Sequence, residues 1–468
     1  MLTISPRDNV AVELTDTPDV PAGHKRALAD LPAGARVIKY GFPIGRAAKF
    51  IPRGTHVHMH NLESMLEGVG EYAYHPDIPA VTPRTPAMFD GYRLPDGRCG
   101  TRSEIWILPM VGCVNAVCRT LAAHGQSLVH DGLEGVYTFE HPYGCSQLGG
   151  DLLSTRRILA GLAQNPNAAG VLIVALGCEN NTLDAFWPLL PEDLNIRFLV
   201  TQDVTDEIEE GLRLLRELAE PVYGRRRESC PVSALTVGLK CGGSDGFSGI
   251  TANPLLGRFT DTLVAMGGGA MLTEVSEMFG AEETILSRCV SEKVYGDAVH
   301  MLTAYREYLI AAGEPIYDNP SPGNHAGGIT TLEEKSLGCT TKAGCVPIVE
   351  VVPYGECMRE RGLALLESPS NDIVACTALA AAGAQLILFT TGRGTPMGSP
   401  VPVVKVASNT RLALAKPGWI DFDAGSGTEQ AADGAFLSYV LRAASGERVS
   451  AERRGNREFA IWKRGVTM

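Results

Sequence analysis

The run Gly170-Val-Leu-Ile-Val-Ala-Leu176 limits most sharply what this chain can fold into. An unbroken apolar stretch of strand length fits a strand covered on both faces, and such strands belong to parallel sheets flanked by helices. Ile105–Pro109, Ile196–Thr201, Ala234–Leu239, Gln385–Thr390 and Val403–Ala407 have the same texture, and Pro402 stands just ahead of the last, where it breaks no ladder. Between them, Asp151–Gln164 and Asp203–Leu218 carry helical spacing. Glu274–Val290 and Thr377–Ala382 also read as helices, the second with Gly383 as its cap. Strand and helix alternate, so most of the chain is α/β with largely parallel sheets.

The first 60 residues are built differently. Val20-Pro-Ala-Gly23, Leu31-Pro-Ala-Gly34 and Ile51-Pro-Arg-Gly54 repeat a Pro-x-Gly turn, and the last two run into short β-type segments. We expect a small N-terminal β domain over residues 1–75. A Pro-rich linker (76–100, with Pro76, Pro79, Pro83, Pro86 and Pro95) follows, then α/β domains over 101–231 and 232–468.

Composition narrows the function. The net charge is −12, with no strong basic run, which argues against a nucleic-acid partner or an anionic membrane surface. The N-terminus has no basic segment leading into an apolar one, and Gly383 and Gln385 interrupt the most apolar stretch, Ile373–Phe389. Twelve cysteines show no framework spacing. These features lead us to expect a cytoplasmic globular protein with no membrane or nucleic-acid partner; a small-molecule substrate and a homo-oligomeric assembly are expected besides.

Four groups of residues carry candidate chemistry. His56-Val-His58-Met-His60 would place three imidazoles on one face of a strand, and His24, after the first Pro-Ala-Gly turn, is placed to join them. Because i and i+4 lie roughly 13 Å apart on a strand, one or two of the three are expected to bind a metal, with exposed strand histidines as the alternative. Gly144-Cys145, Gly177-Cys178 and Cys241-Gly242 follow β-type runs; thiols at strand ends can hold iron or an iron–sulfur cluster, or simply pack as small core residues. Lys240-Cys-Gly-Gly-Ser244-Asp245-Gly-Phe-Ser248-Gly249 closes a strand with a polar glycine loop that lacks the phosphate-loop pattern. Asn319 to Thr331, with Asn324 and His325, leads to a Thr331/Glu334 capping-box pattern, and Phe389 to Thr395 presents Arg393 as a carboxylate fork. Polar loops converging from strand ends suit a small hydroxylated anion.

These stretches resemble the altronate/galactarate dehydratase family over nearly the whole chain. The resemblance is carried by Asp8–Val12, Val37–Gly41, His56–His58, Ile107–Asn115, Tyr143–Gln147, Leu176–Asn181, Cys241–Pro254, Asn319–Thr331, Trp419–Gly425 and Phe459-Ala-Ile. Tyr143–Gln147 and Trp419–Asp423 look more like the altronate branch than the galactarate branch. His325 departs from the pattern, where lysine is expected. The resemblance implies an N-terminal SAF-type β domain and two α/β domains. It also implies a hydro-lyase of hexuronate breakdown, turning D-altronate into 2-dehydro-3-deoxy-D-gluconate with Fe2+, or Mn2+ as a substitute. On that reading the metal lies on His24, His58 and His60, with Cys145, Cys178 and Cys241 as a rival iron or iron–sulfur site. Lys240 or His325 is the base, and Lys39, Ser244, Asp245, Ser248, Asn324 and Arg393 meet the substrate. Galactarate dehydration, a sulfolactate sulfo-lyase and a sugar-acid binding protein without turnover are the alternatives.

Overall fold

A computed structural model describes residues 1–68, 70, 72–317, 319–426 and 429–465. The N-terminal segment forms two three-stranded antiparallel sheets. One is β1 (Val10–Val12), β2 (Lys25–Ala27) and β5 (His56–Val57); the other is β3 (Arg36–Lys39), β4 (Phe42–Ala47) and β6 (Leu62–Glu63). The repeated turns explain the compactness, because Gly23, Gly34 and Gly54 share φ values of 82°, 81° and 82°, a region open mainly to glycine. The small core of Val10, Val37, Ile44, Ile51 and Val57 runs on into Ala281 and Leu337, so this domain is closed against the C-terminal part of the chain.

The described residues between Glu63 and Met88 form no strand or helix. They lie along the C-terminal domain, where Tyr74 Oη donates to Cys289 O (2.8 Å), Asp77 N to Ser287 O (2.8 Å) and Arg84 N to Ala265 O (2.7 Å). β7 (Met88–Arg93) then pairs antiparallel with β8 (Cys99–Gly100) and with β13 (Glu228–Pro231), tying together the two ends of the middle domain.

That domain is a four-stranded parallel sheet in the order β10-β9-β11-β12: β9 (Glu104–Pro109), β10 (Gly135–Thr138), β11 (Ala168–Ala175) and β12 (Ile196–Val200). The C-terminal domain is a seven-stranded parallel sheet in the order β16-β17-β15-β14-β18-β19-β20. Its strands are β14 (Thr236–Cys241), β15 (Gly269–Leu272), β16 (Ile348–Val352), β17 (Leu363–Leu366), β18 (Leu386–Thr391), β19 (Val403–Ala407) and β20 (Phe422–Asp423). Every residue of β9, β14, β18 and β19 is buried, which accounts for their unbroken apolar runs. The expected α/β class with a small β domain ahead of it is therefore the observed architecture.

The two sheets begin side by side, where Asn167 Nδ2 donates to Gln385 O (3.0 Å). They also finish side by side. The backbone N–H groups of Arg464 and Gly465 bind the Asp151 carboxylate (2.9 and 2.7 Å), and Trp462 N donates to Tyr354 Oη (2.8 Å). Both sets of carboxyl ends thus face the same side, where ligands of α/β sheets gather. The helix expected at Thr377–Ala382 spans Asp372–Ala381 and is followed by Gly383 at φ 103°. Glu274–Val290 is not one helix. A 3-10 turn (Val275–Met278) and a short helix (Glu283–Leu286) flank Gly280 at φ 86°, where a β-carbon would lie 2.7 Å from Glu333 Cγ. Among the described residues no helix is long and apolar enough to cross a membrane.

Candidate active site

The small β domain sits over the carboxyl ends of the seven-stranded sheet. Backbone meets backbone there: a β-carbon at Gly246 would lie 1.9 Å from Gly23 O, and Gly246 N donates to Gly327 O (2.7 Å). The glycine loop after β14 and the loop before the helix Leu332–Thr340 are both clamped against the turn that carries His24. The clamp is charged. Glu334 accepts from Lys25 Nζ (2.7 Å) and Lys39 Nζ (2.8 Å), and all three side chains are buried. Glu334 was expected to complete a capping box. Thr331 does cap the helix, through Glu334 N (3.3 Å), but the Glu334 carboxylate turns instead to the lysines and to Thr330. Lys39 is thereby held within the domain seam.

His24, His56 and His58 form a triangle with ring centroids 5.1, 5.1 and 5.2 Å apart. His24 Nδ1 and His56 Nε2 are 3.0 Å apart, and His58 Nε2 donates to His325 O (3.0 Å). The expectation of three histidines along one strand fails for a simple reason: β5 ends at Val57. His58 N then bonds to Asn61 Oδ1 (2.9 Å), and the chain turns back, which brings His56 and His58 together. His60 is exposed, with its ring 5.7 Å from that of His56. Desolvation first, then the neighbouring cationic groups, pushes the His56 pKa down to about 4. Desolvation also takes His58 down to about 4, and it lowers His24. Imidazole nitrogens suit a borderline divalent ion such as Fe2+, and the three rings gather such donors in one place, with one nitrogen of each already engaged: His24 Nδ1 with His56 Nε2, and His58 Nε2 with His325 O.

A cleft of about 1060 Å³ opens beside His24. Arg393, Asn409, Arg411 and Lys416 line it, and the Arg393 guanidinium makes no ion pair among the described residues. Asp245 also borders the cleft, but its carboxylate is occupied by Ser248 Oγ (2.9 Å), Ser408 Oγ (2.8 Å) and Asn409 Nδ2 (2.9 Å). Asn324 is buried and bonds Ser244 O (2.9 Å), while the Ser244 hydroxyl is buried without a partner. Asp245 therefore forms part of the cleft wall, held there by Ser248 and Ser408, Asn324 ties the adjoining loops, and Arg393 faces the space.

Lys240 is fully buried. It pairs with Glu274 and with Asp372 (2.8 Å), and although burial opposes the charge, these carboxylates hold its pKa well above the ordinary lysine value. It is an ammonium that fixes strand ends, and it has no lone pair for proton abstraction. His325 differs: its Nδ1 donates to Ile329 O (3.0 Å), which leaves Nε2 as the acceptor, and its ring centroid lies 6.5 Å from that of His58.

The expected trio Cys145, Cys178 and Cys241 is not brought together. Cys145 and Cys178 are exposed on the middle domain, whereas Cys241 is buried in the C-terminal one. Cys241 Sγ lies 3.3 Å from Cys339 Sγ and 3.2 Å from Glu277 Oε2, a compact group that the sequence did not announce. Lys342 Nζ (2.8 Å from Cys241 Sγ) and Lys335 Nζ (2.9 Å from Glu277) already balance its charge, so it reads as a buried polar network.

Acid should destabilise this protein through its histidines. His141, buried with Nε2 bonded to Pro109 O (2.8 Å), is pushed by desolvation to about 4, like His56 and His58. In the unfolded chain these rings take protons near pH 6.5. Between those values the unfolded state binds more protons, so stability is full above about pH 6.5 and falls as pH drops toward 4. A melting temperature of metal-free protein that stays flat from pH 7 to 4.5 would contradict this.

A small β domain closing a polar, cationic cleft at the carboxyl ends of a parallel sheet defines an α/β enzyme whose site is shared between domains. The chain belongs to the altronate/galactarate dehydratase family, the hydro-lyases that the sequence resembled. Three family models match in order: the altronate/galactarate dehydratase SAF domain at 11–65, the D-galactarate dehydratase/altronate hydrolase second domain at 91–223, and the D-galactarate/altronate dehydratase C-terminal domain at 232–467. The chain is 47% identical to the altronate dehydratase of Bacillus subtilis (strain 168) over 98% of its own length and 94% of the relative's. Identity and coverage are the same for the altronate dehydratase of Escherichia coli (strain K12). Against the galactarate dehydratase (L-threo-forming) of E. coli (strain K12) the identity is 33%, over 90% of this chain and 87% of the relative.

Proposed function

We propose that this enzyme dehydrates D-altronate to 2-dehydro-3-deoxy-D-gluconate, with Fe2+, or Mn2+ in its place, on His24, His56 and His58. The observation that carries the substrate is the 47% identity to two altronate dehydratases over 98% of the chain, against 33% to the galactarate enzyme. When bound, the ion supplies Lewis-acid stabilisation of negative charge on a substrate oxygen.

The chain's own residues do the rest. Arg393 holds the carboxylate with its two-pronged fork, and Arg411 and Lys416 keep the mouth of the cleft attractive to an anion. The C2 proton, adjacent to the carboxylate, passes to His325 Nε2, whose ring is oriented by Ile329 O. The C3 hydroxyl takes up the proton that His325 now carries and leaves as water, which restores the imidazole, and the enol product becomes the keto acid. Lys240 stays charged and keeps Asp372 and the Cys241 carbonyl in place.

The test is to incubate metal-stripped and Fe2+-loaded protein with D-altronate, D-galactarate and sulfolactate and to assay 2-keto-3-deoxy acid and sulfite. Iron-dependent product from D-altronate above the others is expected. Equal turnover without metal, or preference for another acid, would overturn the reading.

A further inference from the structure

Cysteine is among the most consistently buried residue types. Among the described residues four cysteines are exposed, Cys113, Cys145, Cys178 and Cys345. The first three fall on adjoining loops. Each follows a glycine, and each lies just past the end of one of three neighbouring parallel strands, β9, β10 and β11, in the sheet order β10-β9-β11.

The loops are bonded to one another. Gly112 N donates to Tyr143 O (2.8 Å), Asn181 N to Gly144 O (3.0 Å), Asn181 Nδ2 to Met110 O (3.1 Å) and Ser146 N to Asn180 Oδ1 (2.9 Å). The glycines are required for this. A β-carbon would lie 2.9 Å from His141 O at Gly112 and 2.1 Å from Met110 O at Gly144, and Gly144 and Gly177 sit at φ 99° and 123°. The residues flanking Cys145 both have positive φ, including Ser146 at 57°, a costly conformation for a residue with a side chain. Strained, glycine-dependent loops that carry three accessible thiols past the carboxyl ends of adjacent strands are the arrangement of a ligand site, and the neighbouring Glu179 carboxylate and His141 ring are already engaged, Glu179 by Leu176 N and Gly177 N (2.9 and 2.7 Å) and His141 by Pro109 O and Tyr143 N (2.8 and 3.1 Å).

We propose that Cys113, Cys145 and Cys178 hold an iron–sulfur cluster of the four-iron type, with three protein ligands and one iron left for a non-protein ligand. Each thiol releases its proton to solvent and ligates one iron, and two ferrous ions, two ferric ions and four sulfide ions from solution complete the cluster. The soft all-sulfur donor set favours a cluster over a lone hard ion. This site stands on the middle domain and does not rest on the histidine reading.

Anaerobic reconstitution with ferrous and ferric iron in equal amounts and sulfide tests it. Roughly four iron and four labile sulfide per chain are expected beyond any histidine-bound iron, with a broad visible absorbance and a paramagnetic signal on reduction. Cys113→Ser, Cys145→Ser and Cys178→Ser should each lose the sulfide and the absorbance. Cys345→Ser and His58→Ala should keep both. Alkylation guards against misfolded variants: the three thiols of the wild-type chain should be labelled before reconstitution and protected after it, with Cys345 labelled in both states. Iron without sulfide, zinc in its place, or a cluster that survives the three substitutions would overturn the proposal.

Discussion

Glu334→Ala should cost about 3–5 kcal/mol of folding stability, because it strands two buried ammonium groups without their shared counter-charge. Lys25 and Lys39 belong to the small β domain and Glu334 to the C-terminal one, so the loss falls on the seam between them. The Glu334 carboxyl lies below the usual carboxylate range because, against the cost of its burial, both lysines favour its charged form. Urea unfolding should show an early phase in which the small domain separates, and proteases should cut between Glu63 and Met88. Replacing all three residues by methionine should recover much of the loss, since apolar groups of similar volume carry no desolvation penalty. A Glu334→Ala variant within about 0.5 kcal/mol of wild type would show that the clamp contributes little to stability.

On the proposed histidine site, His58→Ala should lower turnover of D-altronate by about a thousand-fold, the several kcal/mol that a bound divalent ion would supply. His56→Ala should do the same and His60→Ala should do little, because the His60 ring is exposed at the edge of the triangle. Bound iron measured with activity separates a lost ligand from a misfolded chain, and melting temperatures close to wild type are expected for all three. The ranking sinks if His60→Ala proves the damaging change and His56→Ala the silent one.

How much of this was legible in the sequence depends on range. The buried strands announced themselves because both faces of a parallel strand are covered, so seven apolar residues in a row have one natural home. The repeated Pro-x-Gly turns likewise carried their own geometry. The histidine group was half legible: His24 and His58 meet, but the turn that brings His56 to them in place of His60 is held by the Asn61 side chain, bonded to His58 N and His56 O, which leaves no periodic trace. Lys240 looked like a free base because its partners, Glu274 and Asp372, lie 34 and 132 residues away. Cys241 was grouped with Cys145 and Cys178 through its neighbouring glycine. A neighbouring glycine is a poor signal, since Gly112-Cys113, Gly338-Cys339 and Gly344-Cys345 carry one as well.

The irregular stretch that joins the small domain to the rest has a further consequence. As a short covalent tether it keeps the two halves of the cleft at a high effective concentration, in the millimolar range for such linkers. The histidine-bearing half is therefore kept in one register over the cleft, even when local contacts at the seam break, without ever being lost to solution. An ancestor or relative carrying those halves on separate polypeptides would need a markedly tighter subunit interface to hold the same chemistry together.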